Sequence, residues 1–286
     1  TLAREENEAQ RPFRLIAPAL NSVRVGEGRM LQNVKVELYH DPMWWDVIDV
    51  SATLPGGAPL RLTYRPGEPG SGIHRLHAQT TDAGAALRAL DIYDSINGGT
   101  LEITGKVKDD EPRRPLRGRL DSSSFRLVNT PFFVRFLSVA ALTGLADVLT
   151  GEGFYFDGAS ARFTKTMGTI EVSKFRSAGP SIGLTSSGTI DLDRQKIDLE
   201  GVVVPAYAIN SILGNIPLLG DLLQGGPGEG LFSAAYEITG DLPEPKIDVN
   251  PWTALAPGFL RDIFTQDIDA GGENAPLPKV PTGSHE

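Results

Sequence analysis

Apolar and polar residues alternate with a period of two along most of this chain, the pattern of strands with one buried face. Met30–Leu38 places Val34, Val36 and Leu38 on one side. Trp45, Val47, Ile48 and Val50 open a second run. Leu60, Leu62 and Tyr64 form a third, and Leu101, Ile103 and Val107 a fourth, across an expected bulge at Gly105. The clearest hairpin is Gly188–Gly201. Ile190 and Leu192 line one side of it, Ile197 and Leu199 answer across a turn at Asp193–Lys196, and Asp191, Asp198 and Glu200 face water. Such one-sided alternation predicts antiparallel strands with one wet face.

Three segments change period to that of a helix. Ala83–Ile96 has Ala86, Leu87, Leu90 and Tyr93 at helical spacing, with Asp82 as N-cap. Pro131–Leu149 has Pro131 in its first turn, Asn129 or Thr130 as cap and Gly151 beyond its end. Ile209–Leu223 carries almost no charge and is kinked or split at Pro217. Each runs through glycines into an alternating strand, an uneven helix–glycine–strand repeat rather than a constant-period solenoid. The expected class is therefore mainly β with helices (α+β). Residues 1–10 read as disordered or linker, 11–268 as one domain, and 269–286 as a disordered tail.

The 286 residues suffice for one large domain or two small ones. Lys and Arg number 27 against 36 Asp and Glu, a net charge of −9, which argues against a nucleic-acid partner. With no cysteine, disulfides, thiolate nucleophiles and Cys-ligated zinc are excluded. No apolar run reaches the roughly 18–20 residues of a membrane span. The start at Thr1 without Met reads as a fragment of a longer protein, with any anchor elsewhere.

Catalytic and metal chemistry find little footing. His74 and His77 fall on opposite sides of a strand, which disfavours a shared metal and makes them surface or edge residues. Asp191, Asp193 and Asp198 lack the glycine and terminal glutamate of a calcium loop. Gly67–Gly72 and Gly225–Gly230 read as connectors, since no Lys-Ser/Thr follows either. No nucleophile motif is present. Trp44 and Trp45 suit core packing or an interface, or more sharply a membrane boundary.

From Gly188-Thr-Ile-Asp-Leu through Val204-Pro-Ala-Tyr-Ala-Ile-Asn210, Ile216-Pro-Leu-Leu-Gly220, Gly228-Glu-Gly-Leu-Phe232, Tyr236-Glu-Ile-Thr-Gly240 and Pro245-Lys-Ile-Asp-Val-Asn-Pro251 to Leu255-Ala-Pro-Gly-Phe-Leu-Arg261, the chain resembles the C-terminal region of the AsmA-like family of bacterial envelope proteins. Pro131–Leu137 and Gly151–Phe156 resemble it too. The resemblance implies an elongated, curved antiparallel sheet forming an apolar groove, with about three helices covering or capping it. It also implies a periplasmic place in an inner-membrane-anchored protein and phospholipid transport towards the outer membrane. Acyl chains would be the ligand, with the membrane surface or envelope proteins as further partners, and no cofactor, metal or catalysis. Candidate lipid-contacting or gating residues are Phe132, Phe133, Phe136, Leu137, Leu192, Leu199, Ile209, Ile212, Leu213, Ile216, Leu219, Leu222 and Leu223. The rival expectation is a structural or interaction module with a filled core. A glycan hydrolase using Asp/Glu pairs is a distant third, because the carboxylates fall at outward strand positions.

Overall fold

A computed structural model gives the structure and describes residues 11–26, 28–128, 153–180, 182–205, 234–242 and 244–250. Of these, 71% lie in strands and 4% in helix. The chain divides into two compact units, Thr1–Leu127 and Val128–Glu286.

In the first unit the strands are β1 (Phe13–Gly26), β2 (Arg29–His40), β3 (Trp45–Thr53), β4 (Pro59–Pro66), β5 (Ile73–Thr80), β6 (Ile96–Lys108) and β7 (Leu116–Leu127), with α1 (Ala83–Ala89) between β5 and β6. They form an antiparallel meander in chain order. The second unit is a meander of β8 (Phe154–Thr166), β9 (Thr169–Ala178), β10 (Ile182–Asp191), β11 (Lys196–Pro205), β12 (Ala234–Asp241) and β13 (Lys246–Asn250).

The expectation of an α+β fold with three covering helices is overturned. Among the described residues α1 is the one helix, and it has seven residues rather than the fourteen of Ala83–Ile96. Asp82 caps it as expected, its carboxylate accepting from Ala85 N–H at 2.9 Å. The buried side is Ala83, Gly84, Ala85, Ala86 and Ala89, whereas Leu90, Ile92 and Tyr93 are exposed. The reason is proximity. A Cβ on Gly84 would lie 2.3 Å from the Ile96 carbonyl oxygen, so only small residues fit between helix and sheet. The helix stops at Leu90, Asp91 turns left-handed at φ 60°, and Ile96 already belongs to β6. The helices expected at 131–149 and 209–223 lie outside the described residues.

Two strand details also differ. Gly105 carries no bulge: Leu101, Ile103, Gly105 and Val107 hold one unbroken register with β5, and Gly105 pairs with Gly118. A bulge does occur in β2, where Gln32–Lys35 opposes Ser51–Thr53 and Asn33 takes φ 51°. The extra residue brings Leu31 onto the same buried side as Val34. The unit 1 core lies at this end of the sheet, where Leu31, Val34, Ala52 and Leu54 pack with Ala85, Ala86 and Ala89 of α1.

Candidate functional site

Register fixes which side chains share a face. In unit 1, Leu38 aligns with Ile48, Ile48 with Tyr64, Tyr64 with Leu76 and Leu76 with Gly105. A parallel row joins Val36, Val50, Leu62, Ala78, Ile103 and Leu120. Every one of these residues is half-buried, while the intervening Glu102, Thr104 and Lys106 are exposed. The result is an apolar face running across the strands, in which each side chain is shielded by its lateral neighbours. Among the described elements α1 is the one helix, and it packs on β2, β6 and β7.

The reverse face is charged and laced across strands. Arg14 meets Glu37 at 3.1 Å, Glu37 meets Arg65 at 2.9 Å, and Arg65 meets Asp49 at 2.7 Å. Arg14 and then Arg65 hold the Glu37 carboxyl below the usual range, and Asp49 and Glu37 raise the Arg65 guanidinium. Exposed pairs of this kind add little stability. They do fix which face is wet.

The two ends of the apolar face differ. One is closed by the α1 core. At the other, polar groups converge on the same parity. His74 is 5% exposed. Its Nδ1 lies 2.7 Å from Asp109 Oδ1, and its Nε2 lies 3.0 Å from Asp46 Oδ1. The ring stacks on Tyr64 at 5.1 Å, and burial raises the Tyr64 phenol. Arg114 reaches in from the β6–β7 turn, pairs with Asp109, lies 3.0 Å from His74 Nδ1 and sits over the Trp44 ring at 5.5 Å. Asp41 shapes the adjacent β2–β3 turn, accepting from Trp44 N–H at 2.6 Å and Met43 N–H at 2.7 Å; both bonds hold its carboxyl low. Trp45 packs edge-on against Phe13 and His40.

This cluster corrects the expectation that His74 is a surface or edge residue. His77 does sit on the wet face, 3.1 Å from Glu102. Sequence reasoning missed the cluster because Asp46, His74 and the Asp109–Arg114 pair are far apart in the chain and meet only through strand register. One signal was present: His74 shares its parity with Leu76 and Ala78 and therefore belongs to the apolar side.

Unit 2 repeats the one-sided pattern. Phe163, Val172, Leu199, Ile238 and Ile247 share a face with Ile190 and Ile197. Leu199 is half-buried there, between Gly188 and Ile238. Leu192 is not on that face. β10 ends at Asp191, the turn is Leu192–Gln195, and Leu192 is 40% exposed. The Asp191 carboxylate draws the chain round early by accepting from Arg194 N–H at 2.8 Å. Phe154, Phe156, Ile182, Val203 and Val204 are fully buried. Tyr236, also buried, stretches across Gly201 and donates to the Thr185 carbonyl oxygen at 2.7 Å. The candidates Phe132, Phe133, Phe136, Leu137, Ile209, Ile212, Leu213, Ile216, Leu219, Leu222 and Leu223 lie outside the described residues.

Comparisons with family models, with curated proteins and with solved structures find no match to this chain. No helix among the described residues is long and apolar enough to cross a membrane.

Proposed function

We propose that this chain is a lipid-binding module of the bacterial cell envelope, carrying phospholipid acyl chains along the apolar faces of its sheets between the inner and outer membranes. The observation that carries the reading is the unit 1 face: two aligned rows of half-buried, mostly aliphatic residues, backed by an ion-paired wet face. An apolar sheet face must be covered by something. Acyl chains are a suitable cover, because each buried CH₂ contributes about 0.8 kcal/mol and asks for no directional partner. A face of mainly aliphatic rows offers few directional contacts, which suits movement of a ligand rather than its chemical conversion. The resemblance to AsmA-like envelope proteins supports the same reading, including a periplasmic location and attachment to the inner membrane.

The test is site-specific photo-crosslinking in cells, with a photoreactive residue at Leu62 or Leu76 on the apolar face and at Gln79 or Thr104 on the wet face. Phospholipid adducts at the first pair and none at the second are expected. Adducts at neither pair, or equally at both, would remove the proposal. A second reading, a structural or docking module with a filled interior, is favoured by the complete burial of Phe154, Phe156, Ile182, Val203 and Val204 in unit 2. Protein–protein adducts at Leu62 and Leu76 in place of lipid would select it.

A further inference from the structure

We infer that the wet face of unit 1 carries a docking row for an acidic helix of a partner protein, laid across β4 to β7 and anchored on Arg75 and Lys106.

Register puts four cations in line. Arg65 of β4 aligns with Arg75 of β5, Arg75 with Lys106 of β6, and Lys106 with Arg117 of β7. All four are exposed. Neighbouring strands lie about 4.8 Å apart, so the row repeats a positive charge at that interval. Side chains directly opposite each other interact, and like charges there are destabilising. Carboxylates relieve this at the ends of the row. Arg65 is held by Asp49 at 2.7 Å and by Glu37 at 2.9 Å, and Arg117 gives two bonds of 2.6 Å to Glu111. The centre has no such relief. Among the described residues no carboxylate pairs with Arg75 or Lys106. The carboxylates that β6 and β7 place on this face are already taken: Glu102 lies 3.1 Å from His77, and Asp121 accepts from Arg119 at 2.6 and 2.8 Å. Two adjacent cations are left facing each other without an anion, in a chain whose net charge is −9.

The shape of the row selects the partner. A flat anionic membrane would meet Glu37, Asp49, Glu102, Glu111 and Asp121 together with the two central cations, and their repulsion opposes contact. A narrow line of anions avoids them by following the row. Acidic side chains at i and i+3 or i+4 of a helix have Cβ atoms about 5–6 Å apart, close to the strand spacing, so successive turns stay in step with β5 and β6. An extended peptide presents same-face side chains about 6.6–6.8 Å apart and falls out of step. Arg75 offers a planar fork to one carboxylate and Lys106 a mobile ammonium to the next. Arg65 and Arg117 prolong the positive field at either side. The row lies on the face opposite the aliphatic rows, and the inference stands whether or not those rows carry lipid.

Fluorescence anisotropy on the full chain tests it with two synthetic alanine-based helical peptides of equal composition. One carries four glutamates in a single stripe, at i, i+4, i+7 and i+11; the other spreads them around the helix. At low ionic strength the striped peptide should bind, more weakly as salt is added, and the spread peptide should bind about fivefold more weakly than the striped one. The double variant Arg75→Gln, Lys106→Gln should weaken the striped peptide by about tenfold, the scale of two exposed ion pairs lost. Lys35→Gln, which removes a charge from β2 outside the row, should leave affinity within about twofold. Both glutamine substitutions relieve a like-charge contact, so urea midpoints should equal or exceed the parent's, and lost binding is then not lost fold. No binding of the striped peptide, equal binding of the two peptides, or unchanged affinity in the double variant overturns the inference. Binding to phosphatidylglycerol-containing vesicles that the double variant loses, with no preference for the stripe, also overturns it and selects an anionic membrane as the partner.

Discussion

Gly201→Ala is the sharpest probe of unit 2. The Tyr236 ring lies where a side chain at 201 would go: an added Cβ would sit 2.5 Å from the phenol oxygen, 2.6 Å from Cζ and 2.0 Å from the Thr185 carbonyl oxygen. The carbonyl belongs to the ladder and cannot retreat, so the ring must swing aside. Crowding a packed site costs about 1–3 kcal/mol. Losing the 2.7 Å bond from Tyr236 to Thr185 disturbs the buried hydrogen bonding of the phenol, in which Ser186 also takes part, a further cost of about 1–3 kcal/mol. The expected loss is about 2–6 kcal/mol, a large part of the roughly 5–15 kcal/mol that stabilises a domain. Tyr236→Phe keeps the ring and removes only the hydroxyl with its hydrogen bonds to Thr185 and Ser186, so about 1–2 kcal/mol is expected. In the double variant the bond cannot be lost twice, and the cost should fall short of the sum by about 1 kcal/mol. Urea unfolding of the four proteins measures all of this through the shift in midpoint. Gly201→Ala within about 0.5 kcal/mol of the parent, or strict additivity, would refute the reasoning.

Three further outcomes follow from the same geometry. Burial pushes the Tyr236 phenol up to about 12; its stabilising contribution is complete below the unfolded value of about 10 and is lost as pH rises towards 12, so alkaline unfolding should shift to higher pH in Tyr236→Phe. Leu192→Asp, in an exposed turn, should change stability by less than about 0.5 kcal/mol and leave lipid crosslinking intact, whereas Leu199→Asp should abolish crosslinking in unit 2 while the β11 amides stay protected. Gly84→Ala should lift α1 off β6 and destabilise unit 1 by about 1–3 kcal/mol, seen as lost amide protection in 83–89.

Strand positions were legible because alternation is a local property. The inward parity of Val34, Val36 and Leu38, the pairing of Ile190 with Ile197, and the outward Asp198 and Glu200 all follow from neighbours in sequence. The Asp82 cap was equally local. The helix was misjudged because Leu90 and Tyr93 fit a helical stripe, yet the space beside β6 admits only glycine and alanine, and that distance is a tertiary quantity. Leu192 was misjudged because a hydrogen bond from Arg194 N–H to the Asp191 carboxylate closes the turn one residue early. The His74 cage was illegible for a different reason: it is assembled by β3, β4, β5 and the β6–β7 turn, and no spacing within the chain encodes it.

Among the described residues, every strand within each unit pairs only with its neighbours in the chain, and this has an evolutionary consequence. No strand must wait for a distant partner, so contacts are short-range and each hairpin can dock on the last one formed. Stability then accumulates by nearest-neighbour terms, as in repeat proteins. A lineage could lengthen or shorten such a sheet by whole hairpins, changing the span of its apolar face without redesigning the strands that remain.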